Sequence, residues 1–166
     1  MIFLSQINGC SEFLKNGSGT YDYNPWLKAN LVENGWIFEI HFDNGNKYIF
    51  NSEKKISSLQ DKYENELTFA YSWTLLSQVT DTLWRNYSYQ YGNNDKINLI
   101  EDFAWNSVTF EYFDGVSWSG TLWDLKQVTL NYGNETKTTQ YTYTTWWDNT
   151  SNHNLVKLID SKWQTY

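Results

Sequence analysis

Cysteine, proline and methionine are almost absent from the 166 residues: Cys10, Pro25 and Met1 are the sole representatives of their types. A lone cysteine rules out an intrachain disulfide and an all-cysteine zinc site. The fold therefore has to stand on packing and hydrogen bonds, for which a chain of this length suffices as one domain, 1–166. No apolar run approaches the roughly 18–20 residues of a membrane helix. Residues 1–7 are apolar but lack a basic leader and a small-residue cleavage site, so a cytoplasmic protein is the expectation, with a removed signal peptide as the alternative. Basic residues are also scarce, 12 Lys and Arg against 19 Asp and Glu for a formal charge of −7. That balance disfavours a nucleic-acid partner, whose phosphates must be neutralised by Lys and Arg.

Aromatic residues are abundant: ten Trp, thirteen Tyr and nine Phe. Aromatic and β-branched side chains suit pleated, half-buried surfaces. Apolar and polar residues alternate in successive segments separated by Asn, Gly and Asp clusters, and helical periodicity is nearly missing. The clearest hairpin runs from Trp36 to Asp43, turns at Asn44-Gly45-Asn46 and returns over 47–50. One of its faces carries Trp36, Phe38, Ile40 and Phe42. Further strands are predicted at 67–76, 83–91, 96–105, 108–113, 117–124, 126–132, 137–146 and 154–160. The charged stretch 53–66, with Ile56, Leu59 and Tyr63 at helix-like spacing, predicts a short helix or a solvated loop. The turns 91–96 and 132–137 echo each other, which fits convergent turn chemistry better than duplication.

Without helix-length connections the sheet is expected to be an antiparallel meander of about 8–10 strands, closed as a lipocalin- or calycin-like barrel, with a β-sandwich as the alternative. The segments Tyr21-Asp-Tyr23 and Glu33-Asn-Gly-Trp-Ile-Phe-Glu-Ile40 resemble the opening strands of small calycin barrels such as the phenolic acid decarboxylases. That resemblance implies a barrel whose tyrosines, with an early glutamate and arginine, serve a hydroxycinnamate pocket. The match stops at those segments, and the sole arginine, Arg85, lies beyond them, so no catalytic role is transferred.

Arg85 is in phase with Leu83, Tyr87, Tyr89 and Tyr91. If Gly92-Asn93-Asn94 forms the turn, Arg85 stands opposite Glu101, either as a structural ion pair or as a planar donor fork for a polar ligand. Glu39, His41 and Asp43 alternate on one strand face and could seat a metal or move a proton, although the wet face of an amphipathic strand explains them as well. His153 lies in a polar loop. Trp84, Trp123 and Trp146 are out of phase with their apolar neighbours, which marks either a ligand surface or a sheet covered on both faces.

The leading expectation is a small aromatic or apolar ligand in an aromatic-lined barrel. Its walls would include Arg85, Tyr87, Tyr89, Trp73, Trp105 and Trp118, with Tyr141 and Tyr143 deeper in the chain. If catalytic, it would be a cofactor-independent lyase, isomerase or cyclase working by substrate orientation, with Glu101, Glu39 or His41 moving a proton. No metal or cofactor is expected; a homodimer is an allowed state. Two other classes fit the composition. One is a carbohydrate-binding, lectin-like module with Trp118, Trp123, Trp146 and Trp147 as a stacking platform. The other is an acidic interaction or inhibitor protein.

Overall fold

Asp and Asn residues recur every twenty or so positions, and in the folded chain they punctuate strands of four to nine residues. The computed structural model describes residues 2–6, 9–116, 119–145 and 153–162. Its contacts divide the chain into two units, Met1–Arg85 and Asn86–Tyr166. In the first unit β1 (Ile2–Gln6) and β2 (Gly9–Phe13) form a hairpin of their own. The strands β3 (Ala29–Asn34), β4 (Ile37–Phe42), β5 (Lys47–Phe50), β6 (Ile56–Gln60), β7 (Glu66–Ser72) and β8 (Leu75–Thr80) follow as consecutive antiparallel neighbours. The second unit holds β9 (Asn86–Tyr91), β10 (Ile97–Glu101), β11 (Ser107–Tyr112), β12 (Leu125–Tyr132), β13 (Glu135–Tyr143) and β14 (Leu155–Ile159), also paired in chain order.

Within each unit the strand order is the chain order, an antiparallel meander from β3 to β8 in the first and from β9 to β14 in the second. Among the described residues no strand pairing closes either meander into the predicted barrel. Closure needs a continuous apolar face to fill the interior. Many of the aromatic residues that suggested such an interior lie in turns instead: Trp26, Trp36, Trp73, Trp84 and Trp105 are all exposed. All-β class and antiparallel meander stand; the closed barrel does not.

In the first unit the register aligns Leu31, Ile40, Tyr48, Leu59 and Leu67 across five strands of one face. Phe13 from β2 packs there, and Phe13, Ala29, Leu31 and Ile40 make a buried cluster flanked by Phe38, Phe42 and Phe50. The other face aligns Asn30, His41, Lys47, Gln60 and Glu66. Alternation thus assigns β4 correctly for Phe38, Ile40 and Phe42. Trp36 departs from it, because it forms the tight turn Gly35-Trp36 between the paired residues Asn34 and Ile37.

Three segments depart from expectation. The charged stretch 53–66 contains β6, bracketed by the Asx turns at 51–55 and 61–65 that pair it with β5 and β7, rather than a helix or a continuous loop. The predicted strand 67–76 breaks at Trp73-Thr74 into β7 and β8. The predicted strand 117–124 has no strand among residues 119–124, and 117–118 lie outside the described residues.

A repeat of about twenty residues underlies the hairpins. Asp61-x-x-x-Asn65-x-Leu67-Thr68-Phe69-x-Tyr71 reappears as Asp81-x-x-x-Arg85-x-Tyr87-Ser88-Tyr89-x-Tyr91 and as Asp102-x-x-x-Asn106-x-Val108-Thr109-Phe110-x-Tyr112. Its first and third copies share a detail: the Tyr71 hydroxyl donates to the Ile56 carbonyl at 2.8 Å, and the Tyr112 hydroxyl to the Ile97 carbonyl at 2.9 Å. Lys55 and Lys96 lie over the same two rings. The echo noted between 91–96 and 132–137 is different, since the first encloses a 3-10 turn at Asn93–Asp95 and the second a tight turn at Gly133-Asn134.

Neighbouring turns of the first unit touch. Gly45 has φ +88°, and a Cβ there would lie 2.8 Å from Lys62 Cβ, whereas Gly35 at φ +64° faces open space. Gly45→Ala is expected to lower stability by about 1–3 kcal/mol, and Gly35→Ala by less, in chemical denaturation. Equal losses at the two positions would mean that contact between adjacent turns contributes nothing.

Candidate functional site

The turns, not the strand faces, present the unusual chemistry. In each repeat the leading aspartate closes its turn with both oxygens. Asp61 Oδ1 accepts the backbone N–H groups of Tyr63 (2.8 Å) and Asn65 (2.9 Å), while Oδ2 accepts the Asn65 side-chain amide at 2.8 Å. Asp102 does the same with Ala104, Asn106 and the Asn106 amide, at 2.8, 2.9 and 2.8 Å. Asp81 accepts the N–H groups of Leu83 (2.9 Å) and Arg85 (3.1 Å), and Arg85 Nε donates to its Oδ2 at 2.7 Å. The hydrogen bond from the fifth residue's side chain comes first in holding all three carboxyls below the usual carboxylate range. Asn51 makes the same turn with an amide oxygen, accepting from Glu53 and Lys55 at 3.0 Å each.

This geometry puts the fourth residue in the left-handed region, where Gly or Asn is the low-cost choice. Here it is Glu64 (φ 66°), Trp84 (φ 61°) or Trp105 (φ 65°), and Trp73 sits at φ 56° in the turn between β7 and β8. Trp73, Trp84 and Trp105 are 93, 86 and 81% exposed. Each therefore carries a strained backbone without the packing that would compensate for it.

In the first unit an open cleft of about 510 Å³ crosses the turns at 43–46, 61–65 and 81–85. Tyr48, Leu59, Leu67 and Leu83 give it apolar surface, and Gln60, Asn65, Glu66 and Arg85 supply planar polar groups. Glu66 accepts hydrogen bonds from Ser58 Oγ and from Gln60 Nε2, the latter at 3.1 Å. Exposed Tyr63 and Trp84 stand on the turns beside it.

The expected site residues are dispersed. Arg85 lines the cleft, but its guanidinium is committed to Asp81 (2.5 Å from Nη2 to Oδ2) as the turn's counterpart of Asn65 and Asn106. Opposite Glu101 in the strand register stand Ser88 and Ser107 rather than Arg85, because the turn closes with Ile97 paired to Tyr91 instead of Tyr89, and a register shift between Ile97 and Leu99 adds one residue more. Glu39 and His41 do meet, Oε2 to Nε2 at 2.7 Å on the polar face of β4, while Asp43 accepts the Tyr23 hydroxyl at 2.7 Å. Among the described residues no three His, Cys, Asp or Glu side chains converge as a metal site would require. Tyr87, Tyr89, Tyr141 and Tyr143 are half-buried strand residues. Tyr87 packs edge-on to Phe103, and Tyr143 to Phe113. Trp73 and Trp105 are exposed turn residues, and Trp118, Trp146 and Trp147 lie outside the described residues.

One cluster in the second unit has no sequence signature. His153 Nδ1 lies 2.7 Å from Asp124 Oδ1 and 2.8 Å from Thr121 Oγ1, and Asp124 Oδ2 accepts the Thr121 N–H and hydroxyl. Burial pushes the Asp124 carboxyl up, but the hydrogen bonds from His153 and Thr121 outweigh it and leave the group below its ordinary value. Spacings of 29 and 32 residues carry no periodic signal, so only the fold reveals the pair. It ties the connection before β12 to the residues preceding β14.

Among the described residues no helix is long and apolar enough to cross a membrane. No protein-family model matches the chain, and no curated protein matches its sequence.

The turn carboxylates set an acid limit. Groups whose folded pKa is depressed contribute stability above the unfolded carboxylate range of about 4, and that contribution is lost as pH falls through the lower folded values. The midpoint of thermal unfolding is expected to drop as pH is lowered from about 5 to 2. In Asp61→Asn/Asp102→Asn it should drop less steeply, because an amide oxygen still accepts the backbone N–H groups and does not titrate. Parallel curves would remove these turns as the acid-sensitive element.

Proposed function

We propose that the protein is a carbohydrate-recognition module that binds sugar faces with indole and phenol rings displayed on its turns. The observation that carries this reading is the pairing of exposure and strain at Trp73, Trp84 and Trp105. A non-glycine residue in the left-handed region costs on the order of 1–3 kcal/mol, and such residues concentrate at ligand clamps. An exposed indole returns nothing to stability in exchange. It does offer a flat apolar face with an N–H at its edge, which suits the alternating C–H and hydroxyl surface of a sugar ring. The neighbouring amides and carboxylates of Gln60, Asn65 and Glu66 suit the hydroxyl rim.

Trp84→Gly is expected to raise stability by about 1 kcal/mol, because glycine relieves the left-handed strain at the expense of some backbone entropy. The same change should weaken retention on immobilised polysaccharide by about tenfold. Gain of stability with unchanged retention would refute recognition through Trp84. Lower stability would refute the strain argument.

A second reading, a small planar ligand in the cleft, is favoured by Arg85 on the cleft wall. Arg85→Asn tests it without breaking the turn, since Asn65 and Asn106 hold the same place in the sister turns. On this reading the substitution abolishes saturable tryptophan quenching by aromatic acids while the fold persists. Unchanged quenching would exclude Arg85 as the anchor.

A further inference from the structure

We infer that the ligand of the first unit is a linear, uncharged polysaccharide lying across the strands along the row of turns, so that affinity grows with chain length. The inference rests on the recognition reading above and adds the shape and charge of what is bound.

The row follows from topology. Residues 24–28, 42–46, 61–65 and 81–85 all fall at the same end of the strands, because each lies at the end where β3, β5 and β7 begin and β4, β6 and β8 finish. Successive turns touch: the Asp43 N–H donates to the Lys28 carbonyl at 2.8 Å, and Gly45 lies against Lys62. The next pair is joined through Thr82 Oγ1, which bonds the backbone of Glu66. Each turn is two strands from the next, so the repeat along the row is roughly 10 Å. Trp26, Tyr63 and Trp84 stand exposed on three of the four turns.

The cleft runs in the same direction. Its lining takes Asn46, Asp61 and Asn65, and Asp81 to Leu83 with Arg85 from three consecutive turns, with the strand ends between them, as expected of a groove crossing strands. A compact ligand would need walls on all sides, whereas an extended polymer can enter and leave such a groove and meet the same kind of turn again after each repeat. Charge selects among polymers. Asp61, Glu66 and Asp81 face the cleft against Arg85, which Asp81 already pairs, on a chain of formal charge −7. Carboxylates accept hydrogen bonds from neutral hydroxyls and repel uronate, sulfate or phosphate groups.

Calorimetric titration of the full chain with cello-, malto- and chito-oligosaccharides of two to six units, and with oligogalacturonate, tests this. In at least one neutral series the Kd is expected to fall by about tenfold or more from the dimer to the hexamer, as further rings engage successive turns. Oligogalacturonate should not compete. Tyr63→Ala should flatten the gain of affinity with chain length, with circular dichroism confirming an intact fold. Binding that depends on Trp84 but is independent of length, or that prefers oligogalacturonate, overturns this inference and leaves the recognition reading intact. No binding in any series overturns both.

Discussion

A single hydrogen-bonding device underlies the architecture: an Asp or Asn oxygen that accepts two backbone N–H groups, two and four residues ahead. It forces the chain back on itself within five residues, before any helix could form, and it fixes the strand that follows as the antiparallel neighbour of the strand before. At 51–55, 61–65, 81–85 and 102–106 local chemistry alone thus reverses the chain, and two-residue turns such as Gly35-Trp36 and Gly133-Asn134 reverse it elsewhere. In the aspartate turns the second carboxylate oxygen binds the fifth residue's side chain, which explains why Asn65, Arg85 and Asn106, so different in size and charge, occupy equivalent places.

The turn also creates the left-handed position at its fourth residue. Glycine would fit there without strain, and several turns of this chain use it. At Trp73, Trp84 and Trp105 the chain gives up backbone stability and exposes a large apolar surface at once, whereas left-handed Trp123 is half-buried. Both terms oppose folding, and this combination is what the proposed recognition role accounts for. The strand faces tell the opposite story. Their buried aliphatic cluster around Ile40 and their polar ladder through His41, Lys47 and Gln60 are accounted for by packing and solvation.

An open meander distributes its functional groups differently from a barrel. A barrel concentrates inward-facing side chains on one ligand, and Arg85, Tyr87 and Tyr89 would have been its natural lining. In the meander the alternating faces remain half-buried, and the side chains with freedom to contact a partner are those at the turns. Arg85 illustrates the exchange: the donor fork that suggested an anion anchor closes its own turn against Asp81.

Strand character, antiparallel order and the hairpin at 44–46 were determined by the sequence itself, because alternation and Asn-Gly turn chemistry act over a few residues. The aspartate repeat was equally present there. Its signature is spread over side-chain types as unlike as Asn and Arg, and so it emerges only when the hydrogen bonds are seen. The strand breaks at Trp73 and Trp84 escaped alternation, since a tryptophan in a left-handed turn reads as a strand residue by propensity. Tertiary structure alone decided that no strand pairing closes a barrel, that a register shift sets Glu101 opposite Ser88, and that Asp124 meets His153 across 29 residues. Each depends on contacts between segments distant in sequence, whose energies no local pattern encodes.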